Sequence, residues 1–396
     1  MKIFFHETKF NRYSITALIA SLEHAELIDK IEIEIFKDTD IENILNKETE
    51  GIFCFSFCSP QLEKIKKILE KIKSVSINSL FLAGGPHPSG APKETLQAGF
   101  DYVFVGEGEK SFPELIEKII QERAFSNIIH GEKVQIDNYP AWSLKYKKFS
   151  PLEITRGCPY ACKFCQTSYL FGKKPRHRSI ESILKHVEIF IKQGMRDLRF
   201  ITPNALSYAS EDGKTLNLAA VEELLKSIKS LSKDIRIFFG TFPSELRPEH
   251  VTSEALEVIK PYISNKILTI GAQSGNDRVL EKIHRGHSAE DVYNAVNNAI
   301  NAGFSVNVDF IFGLPGETAL EQLDTIKLME KLISLGERKN LEVKIHSHYF
   351  IPLKGTPFAN ENATKLSRNL TQFIGKLYNL RNIFGKWYEQ KLYSKN

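Results

Sequence analysis

The sequence lacks the features of a membrane protein, a secreted protein and a disulfide-bonded protein. No apolar run approaches the ~20 residues that a membrane-spanning helix needs. In the N-terminal MKIFFHETKF, an acid interrupts the short apolar run where a signal peptide would continue it. Only five cysteines occur in 396 residues, which cannot form a disulfide framework, and neither repeats nor low-complexity tracts are visible. With 42% hydrophobic and 26% charged residues, the composition predicts a globular, cytoplasmic protein with no membrane partner.

The net charge is only +5, but it is unevenly distributed. From Lys365 to the end, seven Lys or Arg residues stand against one acid, Glu389, so this segment carries +6 and the rest of the chain −1. Three tyrosines and a tryptophan accompany the lysines. The segment predicts either an RNA-binding tail or a helix that packs its apolar face on the protein and leaves its lysines in water, and we favour the second. The apolar face of such a helix would consist of Leu377, Leu380, Phe384 and Trp387.

Residues 1–125 alternate apolar strands with amphipathic helices, which predicts a doubly wound parallel sheet. The strand candidates are 2–5, 31–36, 52–57, 79–84 and 102–106. A helix between them places Leu62, Ile65, Leu69 and Ile72 on one face. A sheet of this kind binds its ligand beyond the carboxyl ends of its strands. Two such ends carry the glycine-rich segments GGPHPSG (84–90) and GEGE (106–109).

A second strand–helix series predicts a partial parallel (β/α)6 barrel over residues 151–358, with its chemistry at the carboxyl ends of the strands. Residues 126–150 lose the alternation and are interpreted as a linker, and residues 359–396 as a basic helical extension. The barrel strands are expected at 152–155, 198–202, 235–241, 267–272, 306–313 and 343–350. Two of the helices between them have predicted N-caps, Ser179 and Ser288, and predicted C-terminal stops, Gly194 and Gly303.

Three cysteines follow the first barrel strand in ITRGCPYACKFCQTS. Cys158, Cys162 and Cys165 have the spacing C-x3-C-x2-C, and no further cysteine follows. Three thiolates on one tight loop can ligate three irons of a cubane cluster and leave the fourth iron open to an exogenous ligand. Two other interpretations are a zinc site, which would need a fourth ligand such as His177 or His186, and unrelated buried thiols.

This spacing, with the aromatic Phe164 before the last cysteine, resembles the signature of the radical S-adenosylmethionine (SAM) superfamily. The resemblance extends over roughly residues 151–358. It implies that Cys158, Cys162 and Cys165 hold a [4Fe–4S] cluster whose open iron binds the amino and carboxylate groups of SAM. One electron from the reduced cluster would then cleave SAM and yield a 5′-deoxyadenosyl radical. The resemblance also implies an electron donor such as flavodoxin or ferredoxin.

Later segments match the same family in part. AQSGNDRVL (272–280) resembles its fourth-strand segment, VDFIFGLPGET (308–318) its adenine-lining fifth strand, and PLKGTPF (352–358) the end of the sixth strand in its methylthiotransferase and cobalamin-associated branches. After the second strand this chain has TPNAL in place of the usual Gly-Gly-Glu-type motif. The SAM-binding residues implied by the resemblance are Phe164, Gln273, Ser274, Ile311 and Gly313, and Thr202 and Asn204 of TPNAL are the candidate substitutes for the missing motif. A strand–helix turn at Gly275 and an ordinary buried strand remain the alternatives for the middle segments.

The N-terminal domain, with GGPHPSG and FDYVFVGEGE, resembles that of the cobalamin (B12)-binding-domain/radical SAM family. In that family the strand-end loops contact the corrinoid, which implies roles here for Ser56, Gly84, Gly85, His87, Gly106 and Glu107. The chain lacks the family's Asp-x-His-x-x-Gly motif, and His6 lies out of pattern, so we expect cobalamin without a histidine on cobalt. Cys54 and Cys58 are interpreted as small buried hydrophobes.

The sequence therefore predicts a radical SAM enzyme that uses a [4Fe–4S] cluster, SAM and cobalamin for methyl transfer to, or rearrangement at, an unactivated carbon. One alternative is a methylthiotransferase-like modifier of tRNA or protein, although the N-terminal domain lacks the three cysteines of that branch's second cluster. The other alternative is a carrier of a cluster or a corrinoid without turnover.

Overall fold

The computed structural model describes residues 1–45 and 50–394, which divide into two compact units. Unit 1 comprises Met1–Ser150 with the short segments Tyr169–Phe171 and Leu353–Thr356. Unit 2 comprises Pro151–Ser168, Gly172–Pro352 and the described residues from Pro357 onward. Within the described part of the chain, no helix has the length and apolar character needed to cross a bilayer.

Unit 1 is a six-stranded parallel sheet with the strand order β2-β1-β3-β4-β5-β6. Its strands are β1 (Lys2–His6), β2 (Glu32–Phe36), β3 (Ile52–Ser56), β4 (Leu80–Gly84), β5 (Tyr102–Val105) and β6 (Ile128–His130). Its helices are α1 (Arg12–His24), α2 (Ile41–Leu45), α3 (Leu62–Lys73), α4 (Pro86–Gly90), α5 (Pro92–Gln97) and α6 (Ser111–Ile120). All five pairings are parallel, as the alternation of strands and helices predicts.

Both faces of this sheet are buried along its inner strands, which explains why β1, β3, β4 and β5 have near-continuous apolar sequences. In β1, Ile3 and Phe5 join the apolar cluster on one face, whereas Phe4 joins the cluster on the other. Helix α3 covers the second face with Ile65, Leu69 and Ile72 of the predicted stripe and with Ile68, and Leu62 packs at the margin of the cluster. The helical face expected from the sequence is therefore confirmed.

The segment 126–150, expected to be a linker, is part of unit 1. Strand β6 extends the sheet beside β5, and Trp142 is 4% exposed and donates a hydrogen bond from Nε1 to the carbonyl oxygen of Ser150 at 2.8 Å. Ser143 also donates to the Glu23 carboxylate at 2.6 Å. The sequence did not predict that this segment belongs to unit 1, because a strand of three residues is too short to show alternating apolar residues.

Unit 2 contains two parallel sheets, with the orders β11-β10-β7 and β12-β13-β14-β15, and a small antiparallel pair, β8-β9. The strands are β7 (Leu152–Glu153), β8 (Thr155–Arg156), β9 (Arg176–His177), β10 (Asp197–Ile201), β11 (Arg236–Phe238), β12 (Ile267–Gln273), β13 (Ser305–Phe312), β14 (Val343–Tyr349) and β15 (Ile383–Gly385). A parallel bridge between Leu246 and Ile270 connects the segment after β11 to β12. The predicted first strand, 152–155, is divided, since Thr155 pairs with His177 and not with the barrel.

The helices of unit 2 follow its strands in the order expected of a (β/α) barrel. They are α7 (Thr167–Phe171, which extends into the short segment assigned to unit 1), α8 (Ile180–Lys192), α9 (Leu218–Leu231), α10 (Ser253–Ile259), α11 (Asp277–Lys282), α12 (Ala289–Asn301), α13 (Ala319–Glu337), α14 (Arg368–Asn379) and α15 (Trp387–Leu392). Both predicted N-caps are confirmed: the hydroxyl of Ser179 accepts from Ser182 N at 3.2 Å, and that of Ser288 accepts from Asp291 N at 3.1 Å. Gly194 and Gly303 follow these helices with left-handed φ angles of 77° and 86°.

The C-terminal segment is not purely helical, because β15 lies between its two helices and pairs with β14. Its expected apolar face is only half correct: Leu377 and Trp387 are 3% and 9% exposed, whereas Leu380 and Phe384 are 56% and 38% exposed. Leu380 follows the last helical residue, and the chain reverses at Arg381, which has a φ of 57°. A helical period cannot predict the side-chain direction beyond the end of the helix.

The two leucines provide a matched test of this packing. Replacing Leu377 with Ala should lower the free energy of unfolding by about 2–5 kcal/mol, because removing this buried side chain leaves a cavity. Leu380→Ala should change it by less than about 0.5 kcal/mol, since the side chain is mostly in water. Urea unfolding followed by circular dichroism measures both. Equal effects would show that α14 does not pack as described.

Candidate metal centre

The three cysteines lie on a loop that its own hydrogen bonds hold closed. Cys158 donates its N–H to the carbonyl oxygen of Gly172 at 3.1 Å, and Ser168 donates its hydroxyl to the Cys158 carbonyl at 2.6 Å while accepting from Ala161 N at 3.1 Å. Gly157 begins the loop at a φ of 90°, where a Cβ would lie 2.7 Å from the carbonyl oxygen of Lys174. Only glycine fits this close approach.

The thiol groups are in a site that disfavours free thiolates. Cys162 is buried, and burial raises the pKa of both Cys158 and Cys165, with the neighbouring Cys162 acting in the same direction. A metal or cluster that binds the thiolates supplies positive charge that compensates for their burial. The donor set therefore fits an iron–sulfur cluster.

Arg285 is the basic residue beside these sulfurs. Its Nη1 donates to Cys162 Sγ at 3.7 Å, and its Nη2 donates to the carbonyl oxygen of Gly271 in β12 at 2.8 Å. A guanidinium in this position offsets thiolate charge and tunes a cluster through a hydrogen bond to sulfur. Sequence reasoning missed Arg285 because it lies 123 residues from Cys162 and belongs to no motif that we identified.

A chain of contacts connects the cysteine loop to the segments after the second and third strands. The Arg247 guanidinium stacks on the ring of Tyr160 at 3.3 Å and donates to the carbonyl oxygen of Arg285. The Tyr160 hydroxyl lies 3.4 Å from His250 Nε2, and His250 Nδ1 lies 2.6 Å from the amide nitrogen of Asn204. A cavity of about 1070 Å³ adjoins this side of the loop and is lined by Tyr160, His250 and other residues. Its volume is that of a small-molecule site.

Both histidines named for the zinc interpretation already have hydrogen-bond partners in the protein. His177 hydrogen-bonds through Nδ1 with Thr155 at 2.9 Å and through Nε2 with Ser210 at 2.8 Å, and His186 Nδ1 is 2.7 Å from the Ser182 carbonyl oxygen. Two thiolates on one zinc ion are roughly 4 Å apart. Within residues 1–45 and 50–394, however, the three cysteines do not form a group whose ligand atoms all lie within 4.8 Å of one another. The wider spacing suits a multi-iron cluster.

The structure brings two of the predicted SAM-binding residues together. Phe164 of the cysteine loop and Ile311 of β13 both pack on one apolar cluster, which contains Leu314, Phe350 and Phe358 among its buried members. Gly313 follows with a φ of 76°, and a Cβ there would lie 2.9 Å from the ring of Tyr349. This arrangement gives the cysteine loop an apolar neighbour suited to a planar base.

The other predicted SAM residues occupy turns. Gln273 has a φ of 73° at an irregularity in the pairing of β12 with β13. The hydroxyl of Ser274 lies 3.4 Å from that of Thr325 in α13, which also accepts from Gly275 N at 3.0 Å, so Ser274 supports the strand–helix turn.

Thr202 and Asn204 are buried after β10. Asn204 Oδ1 accepts from Arg247 N at 3.1 Å, and Thr202 hydrogen-bonds with the Asn204 backbone, so both side chains already have protein partners. They connect two strand ends and do not present free polar groups as a Gly-Gly-Glu-type motif would.

The predicted cobalamin-binding residues of unit 1 differ in their exposure: some are accessible at the strand ends, and others are buried. Ser56, Gly84, Gly85 and Gly106 are partly exposed at strand ends, and Gly85 has a φ of 93° where a Cβ would lie 2.6 Å from Ser56 Oγ. Glu107 is instead 3% exposed and accepts from Val134 N at 3.2 Å, so its carboxylate is used within the unit.

His87 is 1% exposed, stacks on Phe57, and lies 3.1 Å from Ser59 Oγ through Nδ1. Its buried Nε2 has no hydrogen-bond partner among the described residues. An orphaned buried nitrogen beside a glycine-rich strand end fits a polar ligand group at this position.

Neither His6 nor the remaining cysteines resemble ligands. His6 is fully buried between Phe36 and Phe55, and its Nε2 lies 2.9 Å from Asp38. Burial lowers the pKa of this imidazole. Cys54 is a member of the apolar core of unit 1, and burial raises the pKa of both Cys54 and Cys58.

Comparisons with known proteins agree with this geometry. Residues 152–329 match the family model of the radical SAM superfamily, and residues 14–116 match that of the B12 binding domain. The chain is 26% identical over 314 residues to the tRNA-2-methylthio-N(6)-dimethylallyladenosine synthase of Moorella thermoacetica, a match covering 76% of this chain and 68% of the relative. It is also 26% identical to an uncharacterized methyltransferase of Pyrococcus horikoshii, with coverages of 80% and 72%.

Two solved structures share the fold. One is the radical SAM methyltransferase TsrM of Kitasatospora setae, with cobalamin and a [4Fe–4S] cluster bound. Its TM-score is 0.65 at 15% identity, and the match covers 90% of this chain and 76% of TsrM. The cobalamin-dependent SAM radical enzyme OxsB, with aqua-cobalamin bound, has a TM-score of 0.65 at 15% identity, with coverages of 97% and 62%.

The cysteine assignment is tested by exchanging two sets of thiols. Replacing Cys158, Cys162 and Cys165 together with Ala should remove the roughly four irons and four sulfides expected after anaerobic reconstitution. Replacing Cys54 and Cys58 with Ala should leave iron and sulfide unchanged, because these thiols belong to unit 1 and not to the loop. Chemical assay of iron and sulfide measures both. Loss of the cluster in the second variant would refute the assignment.

Proposed function

Because this chain belongs to the radical SAM superfamily and carries a B12 binding domain, we propose that it transfers a methyl group to, or rearranges, an unactivated carbon of its substrate. The observation that supports this proposal most directly is the closed loop of three cysteines, with Arg285 donating a hydrogen bond to Cys162. A cluster held by three thiolates keeps one iron open, which is the requirement for SAM binding in this family. A purely structural cluster has no need of an open iron.

We propose that Cys158, Cys162 and Cys165 ligate the [4Fe–4S] cluster. Phe164, Ile311 and Gly313 would form the apolar wall for the adenine of SAM, and Gln273 would contribute its polar group from the end of β12. When bound, the cluster and SAM supply a carbon radical that can remove a hydrogen atom from an inert position.

The chain's own residues position and protect these groups. Ser168 and Gly172 hold the cysteine loop through the Cys158 backbone, and Arg285 donates a hydrogen bond to Cys162. The apolar cluster that Phe164 and Ile311 border excludes water from one side of the loop. Exclusion of water prevents side reactions of a radical.

Cobalamin would bind at the strand ends of unit 1. Gly85 and Gly106, at φ angles of 93° and 92°, let a flat ring approach the backbone. Ser56 and Gly84 lie beside them, and the unpartnered His87 Nε2 offers a polar contact from within the unit. Since the chain lacks the family's Asp-x-His-x-x-Gly motif and His6 is held by Asp38, we propose that cobalamin binds without a histidine on cobalt.

The cysteines also bear on the cellular compartment of the enzyme and on its electron donor. Five free cysteines, three of them on one loop, require a reducing compartment, so we propose the cytoplasm. Reduction of the cluster needs an electron donor, for which we propose flavodoxin or ferredoxin.

A second candidate function is modification of tRNA. It is favoured by similarity to the tRNA-2-methylthio-N(6)-dimethylallyladenosine synthase and by the exposed aromatic residues Tyr378, Tyr388 and Tyr393 in the basic segment. Base stacking on aromatic rings combined with lysines is a mode of RNA binding. Against it, the only cysteines of residues 1–125 are Cys54 and Cys58, too few for the second cluster of that branch.

We expect the reduced, cluster-loaded protein to convert SAM to 5′-deoxyadenosine, and also to S-adenosylhomocysteine if methyl transfer dominates. Liquid chromatography with mass spectrometry under strict anaerobiosis measures both, and the variant lacking the three loop cysteines should form neither. If the wild-type protein forms neither product with substrate-like extracts supplied, the carrier function replaces the enzyme. Tight tRNA binding that weakens steeply with salt would instead favour the second candidate.

The corrinoid assignment makes a spectroscopic prediction. Cobalamin bound to this protein should show the absorption and EPR spectra of a base-off form without histidine, and His6→Ala should leave these spectra unchanged. Gly85→Val should weaken binding, because its Cβ would meet Ser56 Oγ at 2.6 Å, while the iron content of the protein stays the same.

Two results would contradict this assignment. Nitrogen ligation that disappears in His6→Ala would place a histidine on cobalt. Failure of the wild-type protein to take up any corrinoid would leave unit 1 as a module for substrate or docking.

A further inference from the structure

Strands β13 and β14 carry a group of polar side chains apart from the cysteine loop. Along both strands, buried apolar residues such as Val308, Phe310 and Ile345 alternate with partly exposed ones. Helices α12 and α13 contact these strands, so the apolar side is the one that the helices cover. The opposite face carries Asp309, His346 and His348, and also Ile311 of the predicted SAM site, which pairs with His348.

The three side chains converge because of strand register. Asp309 pairs directly with His346 across the two strands, and His348 lies two residues further along the same face. His346 Nδ1 is 2.8 Å from Asp309 Oδ1, and the two imidazole rings have centroids 4.2 Å apart. One ligand atom from each residue lies within 4.8 Å of the other two, and no second group of this kind occurs in the described chain.

The position of His346 is fixed by the short strand β15. The ring of Phe384 stacks on the His346 imidazole with centroids 4.6 Å apart and planes 7° apart. Ser347 donates its hydroxyl to the Phe384 carbonyl at 2.8 Å, which ties this aromatic residue to β14. An imidazole held in this manner is preorganised and loses little freedom when it binds a ligand.

Two histidines and one carboxylate form a known type of ligand set. Imidazole nitrogens bind zinc at about 2.0–2.1 Å and carboxylate oxygens at about 2.0–2.2 Å, which puts two ligand atoms on one ion roughly 3 Å apart. The 2.8 Å between His346 Nδ1 and Asp309 Oδ1 is already close to this separation. Three protein ligands leave at least one position open, as in catalytic zinc sites of the His2Glu type.

Hydrogen bonding within the fold does not explain the whole group. Asp309 is the hydrogen-bond partner of His346 Nδ1. The His348 side chain, in contrast, has no hydrogen bond within residues 1–45 and 50–394. Glu245, from the segment after β11, interacts electrostatically with both Asp309 and His346. The face therefore combines two imidazoles and two carboxyl groups from three separate segments.

We propose that Asp309, His346 and His348 bind one zinc ion, in a site distinct from the iron–sulfur cluster and with a coordination position open to an oxygen donor. The site requires no redox step, because zinc keeps its oxidation state and binds through lone pairs of the three side chains. The zinc ion takes the place of the proton in the His346–Asp309 hydrogen bond, and that proton is released to solvent.

The full-length, cluster-loaded protein is equilibrated with zinc chloride and desalted, and its zinc content is measured by mass spectrometry. We expect one zinc per chain in addition to the cluster iron. His346→Gln and His348→Gln should each reduce the affinity for zinc at least tenfold. The matched control is His130→Gln, because His130 is an exposed strand histidine, and it should retain wild-type zinc. Asp309→Asn, which preserves the side-chain shape, provides a second variant, and cluster absorbance shows that each variant is folded.

X-ray absorption at the zinc edge identifies the ligands. Scattering from nitrogen and oxygen at about 2.0–2.1 Å with the outer-shell pattern of imidazole would support the site. Sulfur at about 2.3 Å would place the zinc on cysteines and overturn the proposal. Zinc retained unchanged in both histidine variants and in Asp309→Asn, or no zinc retained by the wild-type protein, would overturn it as well.

Discussion

The three thiols on the loop after the first strand of unit 2 impose the constraint on which the site depends, namely the need for positive charge. Partly buried sulfur atoms cannot carry negative charge without a metal, a cation or hydrogen-bond donors beside them. The structure provides Arg285 on Cys162, and Arg247, stacked on Tyr160, donates to the Arg285 carbonyl. These contacts draw the segments after the third and fourth strands toward the cysteine loop. Tyr160 also contacts His250, which in turn lies within hydrogen-bond distance of Asn204. The Asn204 side chain is therefore not free to act as a ligand group.

Both units follow the rule that parallel sheets display their ligand sites where strands end. In unit 1 the glycines after β4 and β5 keep the backbone open, while Glu107 turns inward to hold Val134. In unit 2 the same edge carries the cysteine loop, Gln273 and Gly313. A single topological feature thus underlies both proposed sites, that for a flat macrocycle in unit 1 and that for a cluster with SAM in unit 2.

The metal site proposed on the polar face of β13 and β14 depends on strand register and not on strand ends. Asp309 meets His346 only because the two strands pair in parallel with these residues opposite each other. The unexpected strand β15 adds Phe384 against His346. A ligand set within the strands is more rigid than one on loops, which favours a defined coordination geometry over an adaptable one.

The sequence by itself determined the features that depend on near neighbours. The period of apolar residues predicted the parallel sheet and α3, Ser179 and Ser288 marked helix starts, and the spacing of Cys158, Cys162 and Cys165 predicted the cluster. Only the tertiary structure decided the contacts between distant segments: Arg285 on Cys162, the inward turn of Glu107, the inclusion of 126–150 in unit 1, the exposure of Leu380, and β15 beside β14. Local patterns report which face of an element is apolar, but they carry no information on which remote side chain will meet it. That choice follows from strand order and register, which are set by the packing of the whole unit.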